Sequence, residues 1–445
     1  MAPANPPLTP NPSEPRLPGV NLIGMVTANA GMGVTARNFI RVLKSRGIPV
    51  SAYDMNPGFG RGGHDTEYAD LLCEDANKLP HPINLAILPV NALPELLFEH
   101  RALFESRYNV GFFWWELDEI PRHWRLALQT FDALIAGSRF IESSLRNHLD
   151  QVPVVYAPHP LQVEPAASVR RADFGLPEQT PLLVTIVEPT SDPRRKNPFA
   201  AIHAFERARE QGLEANLVVK LNNSRHNGQV HPLAQQVIDR CNQAPGVHLV
   251  DARLPYPEVL ALYANCDVFV SLHSAEGLGL GMLEAMALGK PVIATGWSGN
   301  LSFMDHQSAA LVTYRHRTVD GELDCYTPDF AGRNATWAAP DIEHAATWML
   351  RLGANRALRE ALGARAKQQA RSYLERAEQA RFVDELAALW AEHEFRGQPA
   401  KLSPEAISQV REAYVRFRQG PVRYAVRGLR QRLDRQLLWR LRTHQ

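Results

Sequence analysis

The sequence predicts an α/β protein of two facing Rossmann-like doubly wound domains, with an interdomain cleft and a C-terminal helical tail. Three observations predict it. At ~150 residues per domain, a chain of 445 residues has room for two or three domains, each with its own core. Apolar residues at 45% and charged residues at 21% lie near globular averages, which excludes a largely disordered, fibrous or membrane-integral chain. Short apolar runs alternate with helical periodicity, and the alternation stops and restarts once.

The elements follow in order. Residues 1–18 are proline-rich with few large apolar side chains; they bury too little surface to offset the entropy of ordering and are expected to be disordered. The first domain, 19–165, opens with an apolar run Gly19–Val26, a glycine-containing turn, a helical stretch Thr35–Arg46 and a strand Pro49–Tyr53. This is a βαβ unit. Strands Ile83–Val90, Tyr108–Trp115, Ala133–Ala136 and Val152–Tyr156 continue it, and such runs suit a parallel sheet covered on both faces. A polar linker, 166–180, leads to a second domain, 181–375. There the strands are Leu182–Val187, Asn216–Leu221, Val247–Val250, Val268–Leu272, Pro291–Thr295 and Ala310–Val312. The helices are Pro198–Glu210, Pro257–Ala264, Leu280–Leu288 and 341–353. A helix over 357–395 runs into a closing segment, 376–400, before the tail, 401–445. Doubly wound sheets bind ligands outside the carboxyl ends of their strands, so the cleft is the expected site.

Charge and cysteine usage narrow the function. The 48 Lys+Arg nearly cancel the 47 Asp+Glu, so the chain as a whole has no basic surplus for gripping nucleic acid. Its four cysteines show no CxxC pair and no histidine at metal-ligand spacing, and are read as buried thiols in a reducing compartment. The longest uncharged run, Leu17–Ala36, is broken by glycines and a proline, and the first residues lack the basic and apolar regions of a signal peptide. A cytoplasmic location is expected.

The most informative segment is Ser271–Ala294, SLHSAEGLGLGMLEAMALGKPVIA. An apolar strand enters a glycine-rich turn, and the turn opens a helix that carries Glu284 eight positions after Glu276. Glycines allow close backbone approach, and a helix start favours phosphate. A dinucleotide-dependent oxidoreductase would place its acid ~20 residues past the glycines; here it lies inside the helix. Glu276-x7-Glu284 followed by EAMALGKPVIAT resembles the donor-site signature of retaining family 4 glycosyltransferases, which have the GT-B fold. The resemblance covers roughly residues 19–395 and implies a nucleotide-diphosphate sugar as donor, with no cofactor and no metal. It also implies that Glu284 holds the ribose hydroxyls, that Glu276 contacts the transferred sugar, and that the backbone around Gly277, Leu278, Gly279 and Leu280 faces sugar and diphosphate.

Four further segments supply candidates. Val187–Pro198 follows the first strand of the second domain and contains Arg194, Arg195 and Lys196. In the resembled family a lysine here, and an arginine a turn earlier, neutralise the leaving diphosphate. Lys196 fits, whereas Ser191 stands where the arginine would, so Arg194 or Arg195 must substitute. Lys220, at the end of its strand, is a weaker donor-side candidate. In the first domain, Gly31, Gly33 and Arg37 form a GxG loop at a helix start, able to hold an anion or to approach the sugar. Trp115 and Glu116 end an aromatic strand where many relatives carry a histidine; they are read as sugar-facing, with His123 a surface residue and a core strand the equal alternative. Trp297, Ser298 and Asn300 lie in a loop resembling one that contacts sugar and phosphate.

The tail carries eleven Lys+Arg and three Asp+Glu, with Val422, Val426, Leu429, Leu433, Leu437 and Leu441 at helical spacing. Such a helix docks on its own protein, on a partner, or on anionic lipid, which suits a lipid-linked or other glycan acceptor and a peripheral place at the inner face of the plasma membrane. The expected activity is therefore a retaining hexosyl transfer to a hydroxyl acceptor, without nucleic acid. The alternative is a non-catalytic sugar- or nucleotide-binding or assembly protein on the same fold, because the missing histidine and displaced arginine are losses such proteins show.

Overall fold

The computed structural model describes residues 17–28, 31–55, 65–222, 224–226, 229–321, 324–327, 334–378, 381–396 and 402–415. The proline-rich start, the loop residues 29–30 and the basic amphipathic stretch beyond 415 lie outside the described residues.

Strands β1 (Val20–Gly24), β2 (Val50–Asp54), β3 (Ile83–Pro89), β4 (Tyr108–Trp114), β5 (Ala133–Ala136) and β6 (Val154–Tyr156) form one parallel sheet in the order β2-β1-β3-β4-β5-β6. Their apolar runs are buried on both faces, as a parallel sheet sandwiched by helices requires. A polar ladder sets the register: Asn21 donates to Asn84 at 3.0 Å and Asn84 to Asn109 at 2.8 Å, across paired positions of β1, β3 and β4. A slip by one residue would leave these buried amides unpaired.

The second sheet contains β7 (Leu182–Val187), β8 (Asn216–Leu221), β11 (Val247–Asp251), β12 (Val268–Ser271), β13 (Val292–Thr295) and β14 (Ala310–Val312), in the order β11-β8-β7-β12-β13-β14. A short ribbon, β9 (Arg225–His226) with β10 (Gln229–Val230), precedes β11, and an antiparallel pair, β15 (Tyr314–Thr318) with β16 (Thr336–Pro340), follows β14. Strand order reverses between β7 and β12, so the loops after these two strands diverge and leave a crevice.

The described elements match most expected ones within a residue or two. The first helix begins at Gly31, earlier than expected, and the predicted helix over 357–395 is two helices, Arg356–Glu378 and Arg381–Arg396. The second of them returns to the first sheet, where Phe382, Val383, Leu386 and Ala387 join Phe39 in one core, and Glu378, at the end of the first, pairs with Arg41. Helical residues 404–415 also pack there, through Ile407 and Val410, with the Tyr414 hydroxyl donating to Glu95 at 3.1 Å. The β15–β16 pair was not foreseen. Val319, Tyr326, Ala335 and Trp337 of this region share a core cluster with Trp115, Leu117 and Trp124 of the first unit, so it bridges the two sheets.

Candidate functional site

The loops after β7 and β12 meet at the crevice. Asp192 caps a single helical turn, Pro193–Lys196, accepting from Arg194 N at 2.8 Å, and Asn197 donates to Leu272 O at 3.0 Å. Ser274 N donates to Arg195 O at 2.8 Å, which staples the two loops together. Of the four described non-glycine residues with positive φ, three lie in these loops and the next one: Asp192 at 68°, Asn197 at 53° and Ser298 at 77°. Backbone strain of this kind persists where the surroundings over-determine it.

The charged groups converge on Glu276. Lys196 Nζ donates to its Oε1 at 2.6 Å, and Arg195 Nη1 to its Oε2 at 3.4 Å and to Ala275 O at 2.9 Å. Burial alone would raise the Glu276 carboxyl, but Lys196, Arg195 and His273 reverse this and hold it at about 2. Glu276 therefore stays ionised, although its side chain is only 8% exposed. Its backbone N–H donates to Ser298 Oγ at 2.9 Å. Arg195 is 3% exposed and also donates to Ser191 O, so it is held from several sides; Lys196, with a side chain 26% exposed, is the most open of the group.

Beyond Glu276 the chain turns through Gly277 and Gly279 into the helix Leu280–Ala287. Gly279 has φ +93°, a conformation that side chains rarely adopt, and begins that helix. Gly299 packs so tightly under the turn that a Cβ there would sit 2.0 Å from Gly277 O. Glu284, on the buried face, accepts from the Tyr256 hydroxyl at 2.9 Å; burial pushes its carboxyl up to about 7, against the pull of Tyr256 and Lys196. Glu276, Lys196 and Arg195 thus form one ionic group just ahead of a helix N-terminus, where anions are favoured, and Lys196 acts through space on Glu284 within that helix.

The first unit reaches this group through β4. Glu116 Oε1 lies 3.7 Å from Arg195 Nη2, and its Oε2 accepts from the Tyr326 hydroxyl at 2.6 Å. Trp114 is the aromatic that faces the turn: a Cβ on Gly277 would be 3.3 Å from its ring and 3.1 Å from Trp115 O. A Cβ on Gly31 would be 3.8 Å from Leu280 Cδ1, so the two glycine loops do oppose each other.

Several expected contributors sit elsewhere. The Trp115 ring is not sugar-facing: it packs against Trp124 and stacks on Tyr326 at 5.8 Å, and its Nε1 donates to Glu119 O. Arg37 donates to Val26 O and Ala28 O and pairs with Asp65, holding its own loop, and Gly33 is where that loop packs against Ala28 O. Lys220 gives all three ammonium protons to Leu221 O, Asn222 Oδ1 and Ala252 O, and burial lowers its pKa to about 8. Arg194 turns to Asp320 O, Trp297 packs edge-on to Phe140 and His316, and Leu278 is core. Asn300 is fully buried and donates to Thr295 O; its Oδ1 has no partner among the described residues. The side chain of His123 lies outside the described residues. Tyr326, Tyr256 and Trp114 were missed. Trp114 neighbours residues that were singled out, whereas Tyr326 sits in an aperiodic stretch that gave no signal.

Residues 184–320 match the model of a family described as glycosyl transferases group 1, a segment that spans both loops of the ionic group. Solved structures share the GT-B architecture. Sucrose-phosphate synthase from Thermosynechococcus elongatus is 15% identical, with 85% of this chain and 100% of that one covered at a TM-score of 0.60. Anabaena HepE, in complex with UDP and glucose, is 13% identical over 83% and 99% of the two chains at 0.56. The trehalose 6-phosphate synthase of Burkholderia multivorans is 12% identical over 86% and 99% at 0.56. The chain spans 54% of Staphylococcus aureus TarM, at 14% identity over 66% of this chain and a TM-score of 0.46. The four cysteines are free thiols, and among the described residues no helix is long and apolar enough to cross a membrane.

Proposed function

We propose that the protein is a glycosyltransferase that moves a hexosyl group from a nucleotide-diphosphate sugar to a hydroxyl acceptor, a glycan or lipid-linked glycan, with retention of configuration. The observation that carries this reading is the buried ionic group of Glu276, Lys196 and Arg195, set beside Glu284 at the start of the helix Leu280–Ala287. It lies inside the segment matched by the glycosyltransferase family model.

The geometry suggests a division of labour. The ionised Glu284 would accept both ribose hydroxyls, with the Tyr256 hydroxyl fixing one of its oxygens. Glu276, kept ionised, would orient the transferred sugar. As the glycosidic bond breaks, negative charge grows on the departing diphosphate; Lys196 and the helix N-terminus would meet it there, so the charge is stabilised without a metal ion. The acceptor hydroxyl would approach from the Trp114 and Glu116 side and give its proton to the leaving phosphate on the same face, which preserves configuration. We place the protein in the cytoplasm, with the basic tail giving peripheral contact to the membrane.

One observation favours the binding-protein alternative: Arg195 is consumed by Glu116 and Glu276 and offers little to a phosphate. A thermal-shift screen of UDP, GDP, ADP and their sugars against wild type and Glu284→Ala tests both readings. A nucleotide at ~100 times its dissociation constant adds about 2.7 kcal/mol to the folded state. Stabilisation of wild type but not of the variant supports donor binding, and turnover of the selected sugar then separates enzyme from binding protein. No stabilisation by any nucleotide sinks the donor reading.

A further inference from the structure

We propose that Tyr326 is a positioning residue of the cleft: its hydroxyl fixes Glu116 against Arg195 and thereby ties the first unit to the donor loops of the second. Nothing in the sequence pattern or in the family match, which ends at residue 320, assigns it a part.

Arg195 is the hub of this junction. Its guanidinium joins acceptors from three separate stretches of chain: Ser191 O in its own loop, Ala275 O and Glu276 Oε2 after β12, and Glu116 Oε1 after β4 of the other sheet. The Glu116 arm is the long one, at 3.7 Å, and a single carboxylate on a loop has rotamers that would turn it away. Tyr326 supplies the missing constraint. Its hydroxyl donates to the second Glu116 oxygen at 2.6 Å, its ring lies nearly parallel to Trp115 at 5.8 Å with 12° between planes, and Arg195 stands 5.6 Å above the same ring. Tyr326 is 6% exposed, so this hydrogen bond is sheltered from water.

The surrounding ribbon explains how the tyrosine is held. Gly321 N donates to Tyr326 O at 2.9 Å, and Arg317 donates to Ser274 Oγ at 3.2 Å, anchoring β15 beside the Glu276 loop. On β16, Thr336 donates from its backbone and its hydroxyl to the two Asp118 oxygens at 3.2 and 3.0 Å. Glu116 and Asp118, two residues apart after β4, are thus both gripped by the same ribbon of the second unit. The consequence is that the acceptor-side carboxylate takes its place only when the two sheets are closed on each other. A site assembled this way would not present an oriented Glu116 to solvent when open.

The inference takes the cleft as the place of transfer, but its test needs no substrate, so a failed nucleotide screen would not decide it. Cys325, next to Tyr326, is half-buried, and burial raises its thiol to about 12, so it reacts slowly while the ribbon is seated. Cys241 and Cys266 are 2% exposed; replacing the half-buried Cys73 by serine leaves Cys325 as the reporter. In this background the full chain is treated with DTNB as parent, Tyr326→Phe, Glu116→Ala and the double variant. Phenylalanine keeps the ring and its stacking and removes only the donor. The expected result is labelling at least threefold faster in each single variant, and a double variant that labels no faster than Glu116→Ala, because alanine removes the acceptor of the bond whose donor Tyr326→Phe removes. Parent-like labelling in Tyr326→Phe, or effects that multiply, would overturn the proposal. UDP affinity, measured on parent and Tyr326→Phe by calorimetry, should stay within twofold, since Lys196, Glu276 and Glu284 lose no partner. A parallel loss of UDP affinity would mean that Tyr326 supports the fold at large rather than positions Glu116. UDP failing to bind the parent would count against the uridine donor alone.

Discussion

Two glycine-rich loops face each other across the cleft, and they use their charges in opposite ways. After β1, Arg37 turns back on the carbonyls of Val26 and Ala28, and the loop is closed on itself. After β12, Glu276 pairs with Lys196 and Arg195 of the neighbouring loop, and Lys196 acts through space on the buried Glu284. Both loops begin helices, and both contain a glycine that the backbone demands, Gly33 for want of room for a Cβ and Gly279 for its φ of +93°. Glycine spacing therefore marks tight joints in either place, and what sets the second loop apart is a group of charged side chains that meet one another.

The largest test of this contrast is a pair of charge deletions. Lys196→Ala should lower turnover of the donor sugar by roughly 100- to 1,000-fold, the usual effect of removing one preorganised group that meets developing charge. Glu276 keeps Arg195 as a counterion, so the fold should survive. Arg37→Met, in the opposing loop, should lower stability in a denaturant melt and leave turnover nearly unchanged. Equal losses of turnover in both variants would break the distinction between the loops.

Acid titration offers the next test. Glu276 is held at about 2 in the folded protein against an ordinary value of 4.5, so its contribution to stability is present above pH 4.5 and disappears as the pH falls toward 2. The shift corresponds to about 3 kcal/mol. Glu276→Gln should therefore flatten the fall in unfolding free energy between pH 4.5 and 2, measured by urea melts; an unchanged slope would mean that other carboxylates set the acid limit.

Glu284 is shifted the other way. With its carboxyl raised to about 7, it is largely neutral at pH 6 and ionised at pH 8. Ribose hydroxyls are held better by the anion, so nucleotide affinity should rise with pH across this window and level off above it. Glu284→Gln should bind more weakly at pH 8, with about 1.5–3 kcal/mol lost with the charge-assisted bond, and show no such rise. Calorimetric titration with the nucleotide chosen by the screen reads both. A pH-independent wild type would remove Glu284 from the ribose.

The same comparison explains what was legible beforehand. The second-unit loops could be read because the chemistry is local: two acids, three glycines and a strand–helix joint fall within fourteen residues, and Arg195-Lys196 follows a strand end. The sheets could be read because a parallel strand is apolar on both faces. Tyr326 could not be read, because its partner Glu116 is 210 positions away and its own stretch has neither periodicity nor a motif. Lys220 and Arg37 misled for a related reason: a cation at a strand end or helix start looks the same in sequence whether it faces a ligand or a ring of backbone carbonyls.

Trp115 gives the smallest effect and the sharpest check on that last point. Sequence left its ring open between the sugar and a core strand, and the structure places it in the core, with Nε1 donating to Glu119 O at 2.7 Å and the ring against Trp124 and Tyr326. Trp115→Phe removes one buried hydrogen bond and some ring area, at a cost of roughly 1–3 kcal/mol in stability. The aromatic surface at Gly277 belongs to Trp114, so Trp114→Phe should change the Michaelis constant for the sugar donor more than Trp115→Phe does. If Trp115→Phe instead raised that constant while its melting temperature held, the ring would have to leave the core when substrate arrives. The closed arrangement of Trp115, Tyr326 and Glu116 would then be a resting state rather than the working one.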